Sequence, residues 1–343
     1  MSRKSQVRPD LSIVIPLFNE EATLDELYRR LTTTLARLRR TYELIFVDDG
    51  SRDGTFFTLC ALGASDEAVR IVKLARNYGQ TAALAAGFDR ARGEIIVAMD
   101  GDLQHAPEDL PRLLHKLGEG YDVVSGWRER RVDSYWTRRL PSRIANWLIA
   151  KLSGVALHDF GTTFKAYRAS VIKSIDLYGD LHRFIPALAS SLGARIAEVP
   201  ITNVQRPQNR SHYGLSRTWR VMADLVTVRF MLRYATRPLH AFGPPGFLSL
   251  AAGLAAGVYI AAKKLLTGDP VFLAHGPLLL LSVLLIQAGI LLLGLGVMAE
   301  LLTRIYFDRR HRRIYTIERV ITHPSRTRVE RLMRGDDDVV RPT

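Results

Sequence analysis

From Leu11 to about Gly126 short apolar runs alternate with amphipathic stretches. The runs Leu11 to Ile15, Glu43 to Val47, Val69 to Leu74, Glu94 to Met99 and Asp122 to Val124 have strand length, and helical patterns lie between them at Ala22 to Leu38, Gln80 to Arg90 and Glu108 to Leu117. Continuous apolar strands separated by such helices predict a Rossmann-like α/β domain with a mainly parallel sheet covered on both faces. Sheets of this kind bind ligands beyond the carboxyl ends of their strands, so the informative residues should follow the strands.

The pattern changes late in the chain. Phe242 to Ala262 and Gly276 to Ala299 are uncharged, and each is long enough to cross a hydrocarbon core of roughly 30 Å as a helix. The short loop from Lys263 to His275 makes them a transmembrane hairpin. Arg217, Arg220, Arg229, Arg233 and Arg237 precede the first span, and Arg304, Arg309, Arg310, Arg312 and Arg313 follow the second. Both flanks therefore face the cytoplasm, with Lys263 and Lys264 outvoted. Upstream, Leu140, Ile144, Trp147 and Leu148 form one stripe beside Arg139, Arg143 and Lys151, and Leu215, Trp219, Met222, Val226 and Phe230 form another. A core-facing helix has the same periodicity, but tryptophan and arginine next to a membrane span favour helices lying on the bilayer.

Composition sharpens this division. The 343 residues carry 48 Lys plus Arg against 34 Asp plus Glu, a net charge of +14, while mean hydropathy is +0.01. With 47% hydrophobic residues the chain is no disordered protein, and with Cys60 as its one cysteine it has no internal disulfide and no Cys-rich zinc module. The excess positive charge flanks the spans and accompanies no nucleic-acid motif, so the partners are anionic lipid or a phosphate-bearing substrate, and not nucleic acid. Met1 to Asp10 is polar and basic with no apolar core of a secretory signal, so the first domain is expected in the cytoplasm.

The segments after the strands carry carboxylates where nucleotide folds usually carry glycines. Pro16-Leu-Phe-Asn-Glu-Glu21 follows the first run, Asp48-Asp-Gly-Ser-Arg-Asp-Gly54 the second and Asp100-Gly-Asp-Leu-Gln-His105 the fourth. No G-x-G-x-x-G follows the first strand and no P-loop is present, which excludes the usual dinucleotide and nucleoside-triphosphatase sites. An acidic pocket holds a diphosphate only with a cation between them, which calls for a hard divalent ion with oxygen ligands, Mg2+ or Mn2+. Each Asp-rich stretch is also a common turn and cap, with Asp53 starting the next helix; their joint placement at strand ends of one sheet lifts them above that reading.

These residues carry a likeness to a known family. Ile15-Pro-Leu-Phe-Asn-Glu20, Val47-Asp-Asp-Gly-Ser51, Arg76-Asn-Tyr-Gly-Gln80, Met99-Asp-Gly-Asp-Leu-Gln-His105, His158-Asp-Phe-Gly161, Lys165-Ala-Tyr-Arg168 and the hairpin resemble the family 2 inverting glycosyltransferases of GT-A fold. Within them the chain resembles the polyprenyl-phosphate group: dolichol-phosphate mannose synthases, bacterial glucosyl transferases, and undecaprenyl-phosphate 4-deoxy-4-formamido-L-arabinose transferases. The resemblance implies a nucleotide pocket of Pro16, Phe18, Glu20 and Asp48 or Asp49, with Asp100 and Asp102 as the D-x-D pair. Asp102 and Gln104 are then metal contacts, and Asp100 touches ribose or metal. Arg128 matches an arginine near the acceptor phosphate, Arg139 belongs to the basic strip beside it, and Arg206 with Ser211, His212 and Tyr213 matches a diphosphate-binding R-x-x-G-x-S-K-Y. There Asn209 replaces the glycine and His212 the lysine, so either His212 or Arg210 supplies the cation. Asp159 orients the sugar or a basic neighbour, because an acceptor phosphate already largely dianionic at neutral pH needs no strong base.

The expected organisation is a tail at 1–10, a GT-A catalytic domain at 11–213 with an interfacial helix near 138–152, a juxtamembrane helix at 214–240, two spans (242–262 and 276–299) within 241–302, and a cytoplasmic segment at 303–343. The expected activity moves a sugar from a nucleotide-sugar, a UDP-sugar in preference to GDP-mannose, to undecaprenyl phosphate at the inner membrane, for cell-envelope glycan or lipid A modification. The resemblance also implies a homo-oligomer, a tetramer, with Arg313 to Ile321 as an exchanged strand. A non-catalytic nucleotide-sugar-binding protein is the competing reading, disfavoured by the intact D-x-D; a processive synthase lacks its Q-x-x-R-W motif here.

Overall fold

The structure, a computed structural model, describes residues 8–128, 155–177, 181–202, 239–268, 271–308 and 314–322. The chain divides into two units, Met1–Leu225 with Arg313–Thr343, and Val226–Arg312. Both stripes expected to lie on the bilayer, near 138–152 and 214–240, fall outside the described residues.

The strands of the first unit are β1 (Leu11–Leu17), β2 (Tyr42–Asp48), β3 (Val69–Leu74), β4 (Ile95–Ala98), β5 (Val123–Arg128), β6 (Lys165–Arg168), β7 (Ile196–Ile201) and β8 (Ile317–Thr322), in one sheet of order β7-β5-β6-β4-β1-β2-β3-β8. β1 pairs in parallel with β2 and β4, β2 with β3, and β5 with β7, whereas β6 runs antiparallel between β4 and β5 and β8 antiparallel on β3. β1 and β2 are apolar on both faces because helices cover both, which is why their sequence reads as unbroken hydrophobic runs. Helices α1 (Glu21–Leu38), α2 (Thr55–Ser65), α3 (Gln80–Arg90) and α4 (Leu110–Gly118) supply that cover. In α4, Leu110, Leu113, Leu114 and Leu117 are all buried at the i, i+3, i+4, i+7 spacing of a single helix face. Short helices α5 (Ala169–Ile172) and α6 (Ile185–Ser191) follow.

Three departures from the sequence reading matter for the site. β5 continues past the apolar run to Arg128, because Gly126, Trp127 and Arg128 find backbone partners in Val199, Pro200 and Ile201 of β7. β6 is a strand although Lys165-Ala-Tyr-Arg168 shows little strand patterning; it is held by β4 on one side and β5 on the other. β8, which the resemblance implies as an exchanged strand, pairs antiparallel with β3 within this chain, so residues that follow the hairpin join the first unit's sheet.

Amino-terminal strand ends hold structural ion pairs. Buried Glu43 accepts from Ser12 Oγ at 2.7 Å, from Arg70 Nη1 at 2.9 Å and from the Arg92 backbone N–H at 2.6 Å. The carboxyl ends are left for chemistry.

The second unit is a pair of long apolar helices, α7 (Leu239–Thr267) and α8 (Val271–Asp308), the latter interrupted at His275, whose φ of −136° is not helical. Both contain 28-residue segments, Leu239–Leu266 and His275–Leu302, long and apolar enough to cross a membrane. Glycines let them approach closely: a Cβ on Gly253 would lie 2.8 Å from the backbone N of Ile286, and one on Gly289 would lie 2.8 Å from the carbonyl oxygen of Gly246. Ser282 Oγ donates to the Gly253 carbonyl at 2.7 Å and Ser249 Oγ to the Leu285 carbonyl at 2.8 Å, so these hydroxyls are satisfied inside an apolar pair. The seam buries little of either segment, 17% and 11%, which leaves apolar faces of the kind lipid covers.

Candidate active site

The strand order reverses between β4 and β1, so the loops after these two strands flank the crevice where open α/β sheets take ligands. Thr23 Oγ1 donates to the Gly101 carbonyl at 3.0 Å, tying the start of α1 to the loop after β4. The loops after β1 and β2 are latched as well. Asn19, at φ 57°, donates its backbone N–H to Ser51 Oγ and accepts the Arg52 N–H, while Glu21 accepts the Gly54 N–H. Gly50 has φ +73°, and a Cβ there would sit 2.6 Å from the Arg76 carbonyl carbon, so the turn after β2 and the loop after β3 touch backbone to backbone.

Of the residues expected at the nucleotide, Phe18 presents a ring 42% exposed beyond β1, and Pro16 lies opposite Val47, one residue before the parallel pairing of that strand ends at Leu17 and Asp48. Glu20 accepts a hydrogen bond from Thr23 Oγ1, and its own backbone N–H donates to Thr55 Oγ1. The two aspartates differ. Asp48 is buried, its Oδ1 accepts the Ser51 N–H and folds the turn, and its Oδ2 is buried without a partner. Asp49 accepts the N–H groups of Tyr78 at 2.7 Å and Gly79 at 2.8 Å, which fastens the Arg76 to Gln80 loop to the end of β2. Burial raises the pKa of both carboxyls. Asp53 precedes α2 by two residues and accepts from the Thr55 N–H and hydroxyl, a cap displaced from the position read in the sequence.

Asp100 stands at the centre of the second cluster. Gln80, the first residue of α3, donates from Nε2 to Asp100 Oδ1 at 2.6 Å and to Thr163 Oγ1 at 3.0 Å. Burial lifts the Asp100 pKa, opposed by a hydrogen bond from Thr163 and the charges of Lys165 and Arg128. His105 is buried, with Nε2 at 3.2 Å from Thr162 Oγ1 and Nδ1 at 3.8 Å from Asp100 Oδ2. Asp102 accepts the Gln104 N–H at 3.1 Å across Leu103, whose φ of 60° is strained for a branched side chain. Among the described residues no three His, Cys, Asp or Glu side chains converge as a ready metal cage. Asp100, Asp102 and Gln104 offer oxygen donors only. One or two carboxylates completed by substrate phosphates is how a hard cation such as Mg2+ is held, so the residues fit a divalent ion that arrives with a diphosphate.

On the other side of β6, Arg128 donates to Asp159 through Nε at 2.7 Å and Nη2 at 3.1 Å, a two-point pair with Asp159 almost fully buried. Asp159 also accepts the Gly161 N–H, and Glu198 on β7 accepts the backbone N–H groups of His158 and Asp159. Trp127 stacks on His158 with ring centroids 4.4 Å apart. The 159–163 loop links the two clusters: Asp159 pairs with Arg128, and Thr163 accepts from the same Gln80 Nε2 that donates to Asp100. Gln80, His105 and Lys165 lie inside the sequence motifs with no role assigned to them there, and Thr162, Thr163 and Glu198 fall outside every motif. Only proximity to motif residues could have marked the threonines, and Glu198 carries no local signal. The expected sites Arg139, Arg206, Ser211 and His212 lie outside the described residues.

His182 backs this site without entering it. Its Nδ1 is 2.7 Å from Thr81 Oγ1, and burial, aided by the charges of Arg183 and Lys165, pushes its pKa down to about 3. An unfolded histidine titrates near 6.5, so below that pH the unfolded chain binds the proton that the folded one refuses. Stability is thus full above about pH 6.5 and is lost as pH falls toward 3, at about 1.4 kcal/mol per pH unit. Thermal melts of the full chain in detergent at pH 7.5 and 5.5 should show a smaller acid-induced drop for His182→Asn than for the wild type; equal drops would remove His182 as the cause.

Comparison with known proteins agrees with this architecture. Residues 12–176 match the family model "Glycosyl transferase family 2". The chain is 40% identical over 302 residues to the dodecaprenyl-phosphate galacturonate synthase of Rhizobium johnstonii, covering 87% of this chain and 89% of that one. It is 38% identical over 312 residues to the undecaprenyl-phosphate 4-deoxy-4-formamido-L-arabinose transferase of Pseudomonas aeruginosa, covering 91% and 90%. Among solved structures, glucosyl-3-phosphoglycerate synthase from Mycobacterium tuberculosis, in complex with Mn2+, UDP and phosphoglyceric acid, superposes with a TM-score of 0.52 at 23% identity, covering 64% of this chain and 78% of that one; the likeness is one of fold.

Proposed function

This chain belongs to glycosyl transferase family 2, and from that membership we propose that it transfers a sugar from a UDP-sugar to undecaprenyl phosphate, or a polyprenyl phosphate of similar length, at the cytoplasmic membrane. It is a membrane-associated glycosyltransferase acting on polyprenyl phosphate. The observation that carries the finer reading is the joining of two unlike clusters by the loop before β6: Asp100 and Asp102 for a cation-bound diphosphate, and Arg128 on its Asp159 support for a second phosphate. Such pairing suits a reaction with two phosphorylated substrates. Sugars named for the relatives differ, so the donor sugar is left to experiment.

In this reading the Phe18 ring packs on the base, and Asp49, beside the loop it anchors, accepts from the base. Asp100, Asp102 and Gln104 would hold a divalent ion, Mg2+ or Mn2+, and such an ion would supply positive charge to the departing diphosphate. Arg128 holds the acceptor phosphate. One phosphate oxygen forms a bond to the anomeric carbon as the bond from that carbon to the diphosphate breaks, and the diphosphate keeps the electron pair. Configuration inverts, and no proton need be removed, since the monoester's second pKa is about 6. Asp159 therefore orients Arg128 and is not a base.

Placement serves the same end. The chain enters the α7–α8 hairpin from the catalytic unit and rejoins that unit's sheet at β8, which supports both hairpin ends lying on one side of the bilayer. The flanking arginines support the cytoplasmic side. Purified full chain, a divalent ion, a panel of labelled UDP-sugars and GDP-mannose, and undecaprenyl phosphate should yield a lipid-linked sugar with one UDP-sugar. Label entering lipid only from GDP-mannose would replace the donor assignment, and nucleotide-sugar binding without transfer would favour the non-catalytic reading.

A further inference from the structure

Lys165 is charged, opens strand β6 and is almost wholly buried, at 1% exposure. Burying an ammonium ion is unfavourable by several kcal/mol unless partners compensate. Its partners are specific. Nζ donates to the carbonyl oxygens of Phe160 and Thr162, both in the loop that leads into its own strand β6. That loop carries Asp159, which grips Arg128, as well as Thr162 against His105 and Thr163 against Gln80 and Asp100. The loop thus touches the acidic cluster with its threonines and the basic cluster with its aspartate.

We infer that Lys165 is a positioning residue, a buried cation that holds the 158–164 loop so that Arg128 and Asp100 keep their relative placement for transfer. The inference rests on the proposed transfer for its kinetic consequence and on the loop contacts alone for its structural one. The charged groups around the ammonium are Asp159 from the loop, Arg128 from β5, Asp100 from the end of β4 and Arg183 from the turn before α6. Burial brings its pKa down to about 8, with the two carboxylates opposing and the two arginines adding to the shift, so the group is still mainly protonated at pH 7. A neutral side chain of similar length would leave the Phe160 and Thr162 carbonyls without their donor, and buried carbonyls need one. The loop would then sample other arrangements, and misplacement of about 1 Å is enough to slow a reaction about 100-fold.

The test uses the full chain in detergent, comparing Lys165→Met and Lys165→Arg with the wild type. Hydrogen exchange read by mass spectrometry should show faster exchange for Lys165→Met in peptides covering 158–164, with peptides of β1 to β3 unchanged. Its turnover should fall about 100-fold with KM for each substrate within about threefold. Lys165→Arg, which keeps the charge and the donors, should recover both loop protection and turnover at least tenfold over the methionine variant. Unaltered exchange at 158–164 in Lys165→Met overturns the inference whatever the activity assay gives. So does faster exchange spread evenly over the whole sheet, which would make Lys165 a residue of general stability. If the wild type itself transfers no sugar, the proposed function fails, while the exchange result still decides whether Lys165 tethers the loop.

Discussion

Asp102→Ala should abolish sugar transfer, by about 1,000-fold or more, at every concentration of acceptor lipid. Removing a carboxylate that places positive charge on a departing diphosphate destabilises the transition state and not the encounter with acceptor, so saturation cannot restore the rate. Asp102→Asn makes the test sharper. The asparagine oxygen can still accept the Gln104 N–H that shapes the turn across Leu103, yet the negative charge is gone. A comparable loss in both variants, together with loss of wild-type activity in a chelator and its return on adding Mg2+ or Mn2+, assigns the effect to charge and cation. Full turnover in Asp102→Ala, or undiminished turnover in chelator, would sink the metal role of this pair.

The second large effect falls on the other cluster. Arg128→Met should lower kcat/KM for the acceptor by about 100- to 1,000-fold, with KM for undecaprenyl phosphate raised, because a charge-assisted contact to phosphate is lost. It should also destabilise the fold by about 3–5 kcal/mol, since buried Asp159 loses the guanidinium that meets it at two points. The double variant Arg128→Met with Asp159→Asn separates these two consequences. Neutralising Asp159 removes the buried charge that has lost its guanidinium partner, so stability should return in large part while activity stays low. Recovery of transfer in the double variant would show that Arg128 serves only the fold, and near-normal acceptor KM in Arg128→Met would remove it from the acceptor site.

Several features of this site were legible because they depend on neighbours in sequence. The D-x-D after β4 and the aspartates after β2 lie at strand ends, which hydrophobic patterning locates well. Asp49 was legible as a candidate but not as the anchor of the loop after β3, because its partners are the N–H groups of Tyr78 and Gly79, about thirty positions away. The resemblance gives Asp159 the task of orienting the sugar or a basic neighbour, and the neighbour in contact with it is Arg128 on β5. Lys165 was invisible as a buried cation. A lysine in a short strand is ordinarily exposed, and only the insertion of β6 between β4 and β5 encloses this one.

The amino-acid sequence alone determined the alternation of strands and helices through β5, the end of the sheet that carries the chemistry, and the two apolar helices. Each follows from local periodicity, which records how many faces of an element meet water. Tertiary structure alone decided the antiparallel entry of β6 and the closure of the β3 edge by β8, since strand pairing joins residues as far apart as Arg70 and Thr322. It also decided the pairings Gln80 with Asp100 and Arg128 with Asp159, separated by 20 and 31 residues. A polar side chain's partner is set by which backbone the fold brings within about 3 Å of it, and no local pattern encodes that distance.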